Sequence, residues 1–584
     1  MRGDGGPYWE DGIAADAYYL AMERQNEDRA PSAEKLATLS SLVNPLLAVD
    51  KAGLDRMWTN MLLMDEHTWD SSDSVSNPTS MEAVKQLAIK DQYAVEAQAM
   101  ADSIARNSMA SLANSISAGP GNLVVFNTLN WKRSGPVSID LKDEDEIVDR
   151  TTGKTAPVEI LDSGGLRHIR FVAQDVPASG YKVYALRAAK KTPAPPETGY
   201  TTTIESPYYR VTLDPASGAV RSIYDKELQR ELVDQQSPYR FGQYLYVRGG
   251  DKAPNTVLQY SRVYPAPHLQ IHSAHGGSLV SVTRTPSGWV ARMKSQDMNT
   301  PGIATGIRIF DHEKKIEFVE DVNKNRISSK EAVYFAFPFA MKQPEFHYEI
   351  QNGVVNPAKD MYPGAGHEWF SAQHWVSVEQ AGVSGTVMPL DASLVTLGDV
   401  FRGAWPEQFG KRPAAIFSYV MNNYWDTNYA ASQGGHFRFR YVVTSAPSTD
   451  AAALSRMGWE EATPLEADEV TTQDKALDQP RPLKGTQDSF LAVQDRDLLL
   501  ETWKPAEDGN GTILRFLDLG GETRPVAVHT KLLNLEHAWQ TNAVERGAKP
   551  LSLLGPHGFQ FTIHPHEIVT VRLIGKDVLE APAL

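Results

Sequence analysis

The sequence predicts a chain of the α+β class that is mostly β: an N-terminal helical bundle followed by large antiparallel β-sandwich domains. Helical periodicity fills the first 118 residues and nearly vanishes after them. The remainder is a succession of short runs rich in β-branched and aromatic residues, separated by Gly, Pro or Asn. At 584 residues, 41% hydrophobic and 22% charged, the chain is long enough for about four domains with sizeable cores.

In the helical part, Leu36, Leu39 and Val43 fall on one face of a helix expected to begin near Ser32, after Pro31, and to stop at Asn44-Pro45. A second helix starts near Asp50, with Leu54, Met57, Trp58, Met61 and Leu62 as its apolar stripe. The polar run "DEHTWDSSDSVSN" breaks the pattern. Asn77-Pro78 then offers a cap and first-turn proline for a long third helix. Met81, Val84, Leu87, Ala88 and Val95 begin its stripe, and "AGPGN" ends it.

From Asn122 strands take over. Tyr209, Val211 and Leu213 alternate before the turn Asp214-Pro215-Ala216-Ser217-Gly218, which marks a hairpin. Runs such as "AVYFAFPF" and "HFRFRYVVTSAP" place a large antiparallel sandwich over residues 200–447. The Pro-rich stretch 188–199 and the polar stretch 448–485 read as linkers, with strand periodicity resuming at "SFLAVQ". No repeat of fixed period is visible.

Composition bounds the function. With 57 Lys+Arg against 72 Asp+Glu, the net charge of −15 disfavours nucleic acid or an anionic membrane as partner, and a neutral or cationic ligand fits better. The chain has no cysteine, so disulfides, thiolate zinc sites, iron–sulfur clusters and Cys nucleophiles are excluded. Any metal would be held by His and carboxylates. No signal peptide, membrane-spanning run or address is visible, so the localisation stays open.

P-loop, dinucleotide, H-E-x-x-H and nucleophile-elbow patterns are missing. What draws the eye is "LLMDEHTWDSS", where an apolar stripe ends in Asp65, Glu66 and His67 followed closely by Trp69. His67 can be read as a surface C-cap favoured by the helix dipole, or as a ligand at a cleft rim. Trp69 reads as a packing residue. His272 with His275, His367 with His374, and His564 with His566 lie in strand or turn contexts and gather no third ligand. "RGDGGPYWEDG" at 2–12 offers Asp4, Tyr8 and Trp9 to a sugar, since aromatic faces stack on pyranose rings and carboxylates accept hydroxyl hydrogen bonds. Its other reading is a tight turn before a helix. Asn423, Tyr424, Trp425, Asn428 and Tyr429, with Gln433 and His436 close behind, suit sugar contact equally well, or core packing and turn chemistry.

Taken together, "RGDGGPYWEDG", "LLMDEHTW", "VVFNTLNWKRSG", "SPYYRVTLDPASGAVRSIYDKELQRELVD" and "NNYWDTNYAASQGGHFRFRY" resemble, in the same order, the bacterial branch of glycoside hydrolase family 38, the retaining α-mannosidases. The resemblance covers essentially the whole chain. It implies a β/α catalytic domain, a three-helix bundle and β-sandwich domains, the largest a galactose-mutarotase-like supersandwich. On that pattern residues 1–31 would be the end of the catalytic domain, 32–118 the helical bundle, 119–195 a small β domain, 200–447 the large sandwich, 448–485 a linker and 486–584 a C-terminal β domain. The family's zinc site takes one histidine from the helical region, and His67 matches it.

The resemblance also exposes a departure. Family members carry an H-x-D pair that binds zinc, an aspartate serving as nucleophile and zinc ligand, and an acid/base aspartate. None of these has a counterpart here, so Met1 resembles an internal methionine of a longer protein or the start of a split gene. A retaining glycosidase needs two carboxyl groups about 5 Å apart, and neighbours such as Asp65 and Glu66 point in different directions at a helix end. Three readings follow. The chain is the C-terminal part of a zinc-dependent α-mannosidase-like hydrolase, inactive alone and completed by a separate N-terminal catalytic polypeptide or segment. It is a non-catalytic carbohydrate-binding or scaffold protein of that family. Or it is another β-sandwich sugar enzyme, an epimerase or lyase, with its own acid/base pair.

Overall fold

The computed structural model describes residues 5–6, 10–44, 47–141, 145–162, 167–188, 197–249, 269–400, 406, 408–471 and 482–578. The chain forms two compact units, one of Met1–Gln25, Asn60–Glu96 and Pro195–Gly458, the other of Asn26–Thr59, Ala97–Ala194 and Trp459–Leu584. Most described elements are strands in antiparallel sheets, as the sequence predicts.

In the first unit a ten-stranded sheet faces a six-stranded one. Ile303, Ile307 and Phe318 from the larger share a core with Phe335, Phe337 and Ile416 from the smaller. The strands Glu331–Pro338 and Ala415–Asn422 of the smaller sheet are buried at every position. Its second face is covered as well, through Ala14, Leu245, Tyr334, Trp369, Phe417 and Tyr419. Two-sided burial is why "AVYFAFPF" is an unbroken apolar run rather than an alternation. Outside these sheets, Tyr209–Asp214 and Ala219–Asp225 form the expected hairpin, with Gly218 at φ 66° closing its turn.

A 3₁₀ turn, Glu10–Asp16, leads into α1 (Ala17–Val43). This helix starts well before Ser32 and carries Pro31 inside it. Residues 30–40 are buried throughout, so tertiary packing outweighs the one backbone hydrogen bond that proline removes. In α2 (Lys51–Asp65) Leu54, Met57, Met61 and Met64 are buried, about 1.5–3 kcal/mol each, while Leu62 turns outward.

The third helix, α3 (Met81–Asn114), departs furthest from expectation. Its cap is Ser80, whose hydroxyl accepts the Ala83 N–H at 3.1 Å, and not Asn77. Met81, Val84 and Val95 are exposed, whereas Ala83, Ala94, Ala97, Ala101 and Ala105 are buried. The inward stripe is made of small residues that permit close approach, and size-weighted periodicity favours the wrong face. No helix among the described residues is long and apolar enough to cross a membrane.

The second unit packs a six-stranded sheet against a three-stranded one around Leu123, Val125, Val137, Ile169, Phe171 and Tyr184. A five-stranded and a four-stranded sheet meet where Phe516 and Phe561 lie 5.3 Å apart. The expected linker 448–485 is not unstructured. It contains a helix, Ala451–Ala462, whose start is capped by Asp450 accepting the Ala453 N–H at 3.0 Å, and a strand, Glu466–Glu469, paired with Asn122–Asn127. Most of the Pro-rich stretch 188–199 lies outside the described residues.

Candidate functional site

Helix α2 ends where Glu66 turns its carboxylate back on the chain, accepting from the Thr68 N–H at 3.0 Å and the Thr68 hydroxyl at 3.1 Å. The role of C-cap, one reading of His67, falls to Lys90 of α3. Its ammonium donates to Leu63 O at 2.8 Å and Glu66 O at 2.5 Å, meeting the last carbonyls of α2. That leaves the His67 imidazole 77% exposed, with Nδ1 2.7 Å from Glu66 Oε1. Two residues on, Trp69 is buried, packing with Met64, Ala94, Trp425 and Tyr429 under the Lys90 ammonium, which lies 4.7 Å from its ring.

Beneath Trp69 lie two aspartates that sequence reading passes over. The indole Nε1–H donates to Asp16 Oδ2 at 3.2 Å, and the Asp16 and Asp91 carboxyls are hydrogen-bonded to each other. Burial raises both, and the charge of Asp16 adds to it for Asp91, which is pushed up to about 9. The two carboxyls titrate as a pair, and both are held towards their neutral forms. In sequence the two stand far apart, Asp91 on what looks like a solvated helix face, and no motif signals the pair.

The residues Asn423, Tyr424, Trp425 and Asn428 serve as joints. Asn423 is buried, donates to Ile327 O, Ser329 O and Ala431 O at 2.9–3.3 Å, and accepts the Glu331 N–H at 2.7 Å. Tyr424 is buried against the outer face of the six-stranded sheet. The Trp425 indole N–H donates to Asp11 Oδ1 at 2.8 Å, and Asp11 is wholly buried. Tyr429 lies so close to Gly12 that a Cβ there would sit 2.2 Å from its ring. Asn428, at φ 64°, ties its backbone to the loop after His67, accepting the Asp70 N–H at 2.8 Å and donating to Ser71 O at 3.2 Å. Gln433 caps α1, accepting the Ala17 N–H at 3.1 Å. Asp4, Tyr8 and Trp9 lie outside the described residues.

The structure thus brings Asn428 and the segment after His67 together, and leaves His67 facing solvent. A zinc ion needs three or four protein donors. Among the described residues no three His, Asp or Glu side chains are grouped so as to hold a metal ion. His67 with Glu66 does not fit a closed zinc centre by itself.

Comparison with known proteins places the β region. Residues 204–392 match the C-terminal domain of glycosyl hydrolases family 38, and residues 497–571 match that family's C-terminal β sandwich domain. Over 98% of its length the chain superposes on 69% of an α-mannosidase from Enterococcus faecalis V583, with TM-score 0.71 at 13% identity. A second structure, of a glycosyl hydrolase family 38 protein from Enterococcus faecalis, matches 96% of this chain and 71% of its own with TM-score 0.68 at 12% identity. At such identities the likeness is one of fold. No curated protein matches the chain. The family 38 stretches take in the hairpin at 209–225 and most of the five-stranded sheet, and the His67 loop lies outside both.

Proposed function

We propose that this chain is the C-terminal part of an α-mannosidase-like glycoside hydrolase, acting on α-mannosides by retaining, zinc-dependent hydrolysis, with its nucleophile and acid/base aspartates supplied by a β/α domain on another polypeptide or segment. The observation that carries the reading is the pair of family 38 C-terminal domains at 204–392 and 497–571. In this reading the chain presents the His67 imidazole, exposed and steadied by Glu66, as one nitrogen donor to a shared zinc site, and Lys90 fixes the helix end from which it projects. Zinc in such enzymes orients sugar hydroxyls and stabilises charge, while bond cleavage rests on the carboxyl pair.

The test is hydrolysis of an aryl α-mannoside by the purified chain, with and without zinc, alone and co-expressed with a β/α polypeptide bearing H-x-D, each with a His67→Ala counterpart. Turnover only in the co-expressed form, abolished by His67→Ala, is the expected result. Turnover by the chain alone would overturn the completion by a second part. A second reading is carbohydrate binding without catalysis. Glycan binding that survives chelation, with no turnover in any combination, would decide for it.

A further inference from the structure

Helix α3 is apolar on two sides. Ala83 and Ala94 face inward, and on the opposite side Met81, Val84, Ala88 and Val95 recur at i, i+3, i+7 and i+14, with Ile89 beside them and Lys85 and Gln92 sharing the face. Met81 is 69% exposed, Val84 54% and Ile89 57%. At the end of α2, Leu62 and Leu63 are exposed as well. Solvated helix positions ordinarily take Glu, Lys, Gln or Ala, since β-branched side chains lose rotamer freedom in a helix and apolar ones gain nothing from water. Val84, Ile89 and Val95 thus serve neither the helix nor the core, and a clustered apolar face of this kind marks a surface that another body covers.

The position of the face says what that body is. Lys90 donates to Leu63 O and Glu66 O, and Asn60 Nδ2 donates to Glu96 Oε2 at 3.2 Å, so α2 and α3 run antiparallel and Ile89 stands level with the end of α2. The stretch from Ile89 back to Met81 therefore continues past that end, alongside the loop that carries His67. From Met81 to Val95 the face is about 21 Å long and about 10 Å wide, roughly 200 Å², against about 800 Å² per partner in a stable complex. Two copies meeting on this face alone would bury too little. A stable contact must extend further, and the exposed continuation is Leu62, Leu63 and the His67 imidazole. Exposed charge around the face is Asp65, Glu66 and Glu82 against Lys85, which disfavours an anionic lipid surface and suits a partner with an apolar centre and a basic rim.

The α-mannosidase on which the chain superposes is covered over 69% of its length, which leaves 31% without a counterpart here. A domain of about 100 residues has a radius of gyration of about 13 Å, so one that reaches His67 is broad enough to cover the neighbouring apolar face too. Building on the reading of the chain as the C-terminal part of a two-part hydrolase, we propose that the outer face of α3 from Met81 to Val95, with Leu62 and Leu63 of α2, is the seat of the β/α part that brings the other zinc donors to His67.

The experiment is sedimentation velocity of the full chain with the β/α polypeptide bearing H-x-D, zinc chelated, for wild type, His67→Ala and the double variant Val84→Gln with Ile89→Gln. The double variant is expected to keep the wild-type denaturation midpoint and to bind about a hundredfold more weakly, the loss of two buried apolar side chains. His67→Ala is expected to bind as wild type does under chelation while losing turnover once zinc is restored. If the double variant fails to fold, Leu62→Gln with Leu63→Gln gives an independent comparison. A wild-type complex that turns over mannoside, with the folded double variant binding equally well, overturns this seat and leaves the two-part hydrolase standing. A wild-type chain that neither binds the β/α polypeptide nor gains turnover from it overturns both. Self-association of the chain alone, or binding to phosphatidylserine vesicles, that is lost in the double variant would assign the face to a second copy or to lipid and overturn the proposal.

Discussion

Residues 62–72 and residues 422–433 both concentrate polar, aromatic and titratable side chains, and the fold treats them in opposite ways. In the second stretch each hydrogen-bonding group of Asn423 is used internally, and Trp425 and Gln433 fasten the segment from Asp11 to Ala17 onto the six-stranded sheet. In the first, the backbone is fastened by Lys90 and Trp69 so that one imidazole is left facing solvent. Amide and aromatic density therefore does not by itself mark a ligand site. A candidate ligand is a side chain that stays exposed to solvent while its surroundings are rigid.

The contrast can be broken most sharply at Trp425. Replacing it with alanine empties a fully buried indole site and strips Asp11 Oδ1 of its N–H donor, an expected loss of roughly 3–5 kcal/mol in chemical denaturation. If Trp425 were a sugar platform instead, Trp425→Ala would fold with near-native stability and lose glycan affinity.

A smaller effect belongs to the support of the His67 loop. Lys90→Met keeps the hydrocarbon stem but removes the ammonium that caps α2 and lies over Trp69. The expected cost is about 1–3 kcal/mol, since two helix-end carbonyls lose a charged donor. Faster exchange of the amides just after Asp65 would accompany it, and unchanged exchange there would mean that the α2 end is held by something other than Lys90.

How far these roles could be read from the sequence depends on whether their partners are local. The hairpin at 209–225 is legible because Asp-Pro and Gly sit at fixed positions in one turn. The α2 stripe is legible because large apolar side chains repeat on one face. The inward face of α3 is not, because alanines carry it and the larger Met81 and Val84 point outward. Pro31 reads as a helix start, yet burial on every side carries the helix through it. Of the candidate site, His67 stands out by its place at the end of a stripe. Asp16, Asp91 and Lys90 gain their meaning only from neighbours brought together by the fold, which periodicity and spacing do not report.

The smallest expected effect on stability lies at His67 itself. Its side chain is mostly in water, and its ion pair with Glu66 is between sequence neighbours in high dielectric, where such pairs contribute little. His67→Ala is therefore expected to unfold within about 0.5 kcal/mol of wild type in denaturant. The value of this near-null result is that it separates function from folding. If co-expressed material loses mannoside turnover on His67→Ala while the denaturation midpoint stays put, the imidazole acts on the reaction and not on the fold. A drop of several kcal/mol would instead place His67 among the joints, alongside Trp425, and the distinction between the two stretches would collapse.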